Sequence, residues 1–130
     1  MTSTVTVRRR IGLTNIVSAR HHDVLADEPA ENGGGDAGPT PWELLLSAMG
    51  ACTAITVELY ADRKGWPLDD LAIHLTREPD SQCVRIEIEV FGNLSEEQRE
   101  RLAAVAQHCP VVKAVSGGLD VEESLKVVAR

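Results

Sequence analysis

A chain of 130 residues, 43% of them hydrophobic, is long enough for one domain with a modest core and too apolar to remain disordered. A net charge of −7 repels phosphate backbones and anionic lipid, and 3% aromatics offer no stacking surface for single strands, so neither nucleic acid nor membrane is expected as a partner. The first residues lack the hydrophobic run of a secretory signal, and the longest uncharged part of the central segment, residues 44–57, falls short of the ~20 residues a bilayer crossing needs. The chain therefore reads as cytoplasmic, where Cys52, Cys83 and Cys109 rest as thiols.

Residues 4–9 alternate and are rich in β-branched side chains, which predicts a strand, with a basic cluster (Arg8, Arg9, Arg10) before a turn at Ile11-Gly12. Residues 13–19 and 22–26 predict two more strands. Residues 27–41 (DEPAENGGGDAGPTP) predict a mobile loop; no Gly-Lys-Ser/Thr follows its glycines, which excludes a phosphate-binding loop.

A long helix follows. Thr40 suits its N-cap, Pro41 its first position, and Glu43 the positive end of its dipole; Arg63, Lys64 and Gly65 mark its end. No face between residues 44 and 57 is charged, whereas a surface helix shows a polar stripe. Cover is needed on nearly all sides, more than a chain of this length supplies, so a partner subunit is expected to contribute. Two alternating strands (residues 71–76 and 84–90) joined through Pro79-Asp80-Ser81 predict a hairpin. Ser95 with Gln98 opens a second helix that Pro110 ends or restarts, and residues 119–128 alternate like a last strand. The order βββ-α-ββ-α-β defines an α+β class, read as a single domain over residues 1–130: an N-terminal sheet (3–27), a loop (28–40) and a helix–sheet core (41–130).

Taken residue by residue, the chemistry is open. Cys52, alone on an apolar helix, has the usual setting of a small buried hydrophobe. Cys109, at a helix end beside His108 and before Pro110, is placed where a thiol can be presented, although helix ends also bury cysteines. Cys83 follows a turn and reads as incidental. His21-His22 and His108-Cys109 lack zinc-ligand spacing, and no Gly-x-Ser-x-Gly elbow occurs.

Residues 38–68 (GPTPWELLLSAMGACTAITVELYADRKGWPL), together with AQHCPVVKAV at residues 106–115, resemble the two cysteine motifs of the OsmC/Ohr family of osmotically induced and organic hydroperoxide resistance proteins. The element order matches as well, and the ends of the first motif look closer to the general OsmC-like branch. The resemblance implies an intertwined homodimer with long helices at its centre, a peroxidatic Cys52, a resolving Cys109 and an external dithiol reductant of lipoyl or thioredoxin type. It implies no metal and no organic cofactor. An ordinary thiol near pKa ~8.5 is mostly protonated at neutral pH, so Cys52 needs a cation. By the same resemblance the cation is an arginine near the first turn, Arg10 before Arg20, oriented by Glu43. The family's glutamate stands ten residues before the cysteine, where this chain has Trp42; Glu43 stands nine before, half a helical turn out of phase and about 13.5 Å away. Leu45, Met49 and Ile55 are expected to line an apolar approach for an organic hydroperoxide. The competing expectations are an OsmC-like stress or ligand-binding dimer with redox-sensing cysteines, and a structural domain with inert ones.

Overall fold

A computed structural model describes residues 2–129. It contains β1 (Thr6–Ile11), β2 (Thr14–Ala19), β3 (His22–Ala26), α1 (Pro41–Lys64), β4 (Asp70–Thr76), β5 (Arg85–Phe91), α2 (Glu96–Ala106) and α3 (Pro110–Gly117). The chain divides into two compact units. One holds β1–β3, the following loop, α1 as far as Gly50, and Leu75–Arg85; the other holds Ala51–His74 and the chain from Ile86 onward.

In the first unit β1–β2–β3 form an antiparallel meander, with Val7 opposite Val17 and Ile16 opposite Leu25. The β1–β2 register slips between Arg9 and Ile11, so Arg10 sits at an irregularity near the turn. The loop after β3 is not a loose span. It winds around the buried carboxylate of Asp27, which accepts hydrogen bonds from Thr14 Oγ1 (2.6 Å) and from the backbone N–H groups of Glu28, Gly35 and Ala37. These bonds, the Thr14 hydroxyl first, hold the Asp27 pKa at about 2. A side chain at Gly34 would strike the carbonyl of Glu28, which is why the tight return needs glycine there.

The long helix starts and stops as its sequence dictates. Thr40 and Glu43 form a reciprocal capping box: Glu43 N–H donates to Thr40 Oγ1 (3.1 Å) and Thr40 N–H to Glu43 Oε1 (2.8 Å). At the far end Gly65 takes a left-handed φ of 70°, Trp66 N–H bonds to Ala61 O and Gly65 N–H to Asp62 O, which closes a Schellman motif. At 24 residues the helix is longer than its uncharged stretch, and by length and composition alone it is apolar enough to cross a membrane. That corrects the argument from residues 44–57, which counted only the uncharged span. In the second unit its inner face packs into a core: Val57 and Ala61 meet Leu94, Leu102 and Ala106, flanked by Leu68, Leu71, Ile88 and Val90.

The hairpin strands form a two-stranded sheet. Ser95 and Gln98 cap α2 reciprocally, and α3 restarts at Pro110 with Cys109 as its N-cap. The last strand is not formed. Residues 119–129 carry no regular structure, and Leu125 and Val127 are 92% and 87% exposed. Alternation makes a segment competent for pairing, but a strand exists only when another strand takes up its N–H and C=O groups, and none does so here among the described residues.

Candidate active site

The fold brings together two thiols that lie far apart in sequence. Cys52 sits mid-helix on α1 and is half-buried, whereas Cys109 caps α3 and is fully buried at 0% exposure. The two thiols lie close enough to shift each other's titration. α2 delivers Cys109: its C-terminal turn closes through His108 N–H to Val105 O and Cys109 N–H to Ala106 O, and Pro110 then turns the chain into α3. Pro110 supplies no N–H and its fixed φ suits a first helical position. The first free donors of α3 belong to Val111 and Val112, and both face the sulfurs; Val112 N–H lies 3.5 Å from Cys109 Sγ.

The thiols are electrostatically unequal. Burial, followed by the hydrogen bond to Cys109, pushes the Cys52 thiol above its ordinary pKa, and the Val111 N–H and Thr56 hydroxyl oppose this only in part. Burial acts on Cys109 in the same sense. There it is outweighed by hydrogen bonds from the Cys52 thiol, from the Val112 and Val111 N–H groups and from Thr53, so Cys109 falls below its ordinary value. The surroundings therefore favour the thiolate on Cys109 and the thiol on Cys52. A partly negative sulfur at a helix N-terminus is stabilised by the same unpaired N–H groups that bind anions there.

The other residues expected at the site are placed as follows. Arg8, Arg9 and Arg10 lie exposed on β1, and none forms an ion pair with a carboxylate among the described residues. Arg20 occupies the β2–β3 turn with a left-handed φ of 55°. Glu43 uses Oε1 in the capping box. Leu45 is half-buried and Met49 buried, while Ile55 is exposed and lines an open cleft of about 350 Å³ with Glu58, Leu59, Asp62, Trp66 and Leu68, in which Cys52 takes no part. Cys83 is exposed, and its N–H bonds to Ser81 Oγ.

Thr53, Thr56, Val111 and Val112 were missed in the sequence. Thr56 follows Cys52 by four residues, a spacing that puts both on one side of the helix, whereas Thr53, one residue on, points about 100° away. Cys-Pro at a helix start is itself a signal that the next N–H groups face the thiol. Arg77 was also missed: its guanidinium lies 3.5 Å from the centre of the Trp42 ring and donates from Nε to Ser81 O (2.9 Å).

A long helix carrying one thiol, a second thiol capping a short helix, and two small sheets define an α+β protein of the paired-cysteine class. The chain belongs to the OsmC-like protein family, whose profile matches residues 33–124. No curated protein sequence matches significantly. Among solved structures the chain is similar to an osmotic stress induced and detoxification response protein from Psychrobacter arcticus, at 19% identity over 88% of each chain with a TM-score of 0.76. It is similar to the OsmC-like protein of Mycoplasma pneumoniae, at 20% identity over 90% of this chain and 89% of the other, TM-score 0.72. The organic hydroperoxide resistance protein OhrB of Bacillus subtilis follows at 23% identity over 97% and 98%, TM-score 0.55. At these identities the likeness concerns the fold.

Proposed function

We propose that the chain is a thiol-dependent hydroperoxide reductase acting in resistance to peroxide stress. The observation that carries this reading is the interacting Cys52–Cys109 pair, with Cys52 half-buried and Cys109 buried at a helix N-terminus. Family membership, and relatives named for organic hydroperoxide resistance, support it.

Cys52 is the sulfur a peroxide can meet. Its thiolate attacks the O–O bond, an S–O bond forms, the alcohol leaves with a proton, and Cys52 becomes a sulfenic acid. Cys109, the more acidic partner, then displaces water from that sulfur and closes a disulfide, which an external dithiol of lipoyl or thioredoxin type reduces. Neither step requires a metal or an organic cofactor. Burial holds the Cys52 proton in place in the single chain, so the reading includes a cation supplied on assembly, with Arg10 assigned that role. Glu43 is assigned to the helix cap rather than to orienting the arginine.

Assembly as a homodimer is supported by α1 itself. Ala48, Ala51, Ile55 and Leu59 form an exposed stripe at helical spacing, with Ile55 54% and Leu59 63% exposed. Leu45 and Met49 remain assigned to the apolar approach to Cys52. A second reading, a stress or ligand-binding dimer with redox-sensing thiols, is favoured by one observation, the protonated state in which burial holds Cys52.

Steady-state consumption of cumene hydroperoxide with dithiothreitol as reductant separates the two. The reductase turns over repeatedly and loses turnover in Cys52→Ser, while Cys109→Ser forms no intramolecular disulfide and turns over only as fast as dithiothreitol reduces the Cys52 sulfenic acid directly. A wild-type chain that fails to turn over rejects the enzyme.

A further inference from the structure

Two sulfurs in one disulfide offer an incoming reductant two points of attack, and the structure makes them unequal. We propose that the reductant opens the Cys52–Cys109 disulfide at Cys52 Sγ and expels Cys109 as a thiolate onto the N-terminus of α3. The proposal rests on the reductase reading for its place in a cycle, but its chemistry is that of the disulfide alone.

Access decides first. A thiolate must reach the sulfur it attacks along the S–S axis, from the side opposite the sulfur that leaves. Cys109 is fully buried and has no surface to offer, whereas Cys52 keeps part of its surface exposed on α1. The leaving group decides second. Exchange is faster when the departing sulfur is the better stabilised thiolate. Cys109 occupies the N-cap of α3, with Val112 N–H 3.5 Å from its sulfur and Pro110 fixing the first turn. Cys52 lies in the middle of a helix, where the dipole contributes little. The free thiols agree in direction, Cys109 being held below its ordinary pKa and Cys52 above its own. Access and leaving-group stability thus point to the same sulfur, and an attack on Cys109 has neither in its favour.

The step balances as a two-electron exchange. The reductant thiolate forms an S–S bond to Cys52 while the electron pair of the old bond departs on Cys109 Sγ. Cys109 thereby returns to the state the reduced site stabilises. With a dithiol, the second reductant thiolate attacks its own sulfur in the mixed disulfide, expels Cys52 and carries the oxidation away; solvent protonates Cys52. The α3 N-terminus then serves both halves of the cycle, first activating Cys109 for closure and later accepting it on opening.

The test uses the full chain in a Cys83→Ser background, which removes the exposed third thiol. The disulfide is made with diamide, so that the readout does not depend on peroxide turnover. It is exposed briefly to 2-mercaptoethanol, a neutral monothiol, quenched with N-ethylmaleimide in acid-stopped, denaturing conditions that open the buried thiol to the label, and mapped by mass spectrometry. The expected result is the mercaptoethanol adduct on Cys52 and maleimide on Cys109, in about tenfold excess or more over the reverse pattern. Adduct mainly on Cys109, or an even distribution, overturns the proposal. Failure of peroxide to form the disulfide would instead reject the reductase reading and leave this result standing.

Discussion

Glu43 is where the family resemblance and the structure ask different things of one side chain. The resemblance has it orient an arginine by charge; the structure has it close a capping box with Thr40. Glu43→Gln and Glu43→Ala separate the roles. Glutamine at this position still accepts from Thr40 N–H and loses only the charge near the positive helix end, about 0.3–1 kcal/mol, toward the lower figure because the side chain is exposed. Alanine also loses the reciprocal bond, for a total of about 1–2 kcal/mol. In a chain of this size about 1 kcal/mol corresponds to about 3–5 °C in Tm. Thermal denaturation should therefore rank wild type, Gln and Ala in that order, with Gln within a few degrees of wild type. Initial rates of Cys52 oxidation by t-butyl hydroperoxide should be near wild type in both variants. If Glu43→Gln keeps its Tm but loses rate about tenfold or more, equal to about 1.4 kcal/mol of transition-state stabilisation, the capping account of Glu43 is wrong and the charge matters to catalysis.

Asp27 predicts a pH dependence. Its folded pKa, about 2, lies below its ordinary 3.8, so its contribution is complete above 3.8 and fades as the pH falls toward 2. Asp27→Asn should lower Tm at pH 7 and flatten the acid limb of Tm against pH; an unchanged acid limb would remove Asp27 as its cause. Leu102→Ala, which empties a buried position between α1 and α2, should cost about 2–5 kcal/mol by urea denaturation, and a loss below 1 would mean that the α1–α2 core is not packed as described. Arg77→Ala should cost about 0.5–1 kcal/mol and alter Trp42 fluorescence, while an identical spectrum would deny the stacked pair. Arg10→Ala should slow Cys52 oxidation about tenfold or more, and a wild-type rate would assign the cation elsewhere.

Much of the fold was legible because its signals are local. Thr40-Pro41, Ser95 with Gln98, and Lys64-Gly65 each satisfy helix-end groups from within a few residues, so their placement does not depend on the rest of the chain. The last strand was misread for the complementary reason: the alternation from Leu119 to Val128 describes a competent edge, while pairing is a property of two segments. The Asp27 loop looked loose because its organising bond joins Thr14 to Asp27 across two strands. At the site, the cysteine types and motif order pointed to both thiols, but their inequality did not follow from sequence. It depends on which N–H groups face which sulfur, and those of Val111 and Val112 become visible only once α3 is known to begin at Pro110.

The central claim is that Cys52 and Cys109 act as one redox pair. The most direct measurement is peptide mapping after one equivalent of t-butyl hydroperoxide, under conditions that alkylate the remaining thiols. The account predicts a Cys52–Cys109 disulfide and Cys83 recovered as the alkylated thiol. All three cysteines alkylated, or oxidation confined to exposed Cys83, would contradict it.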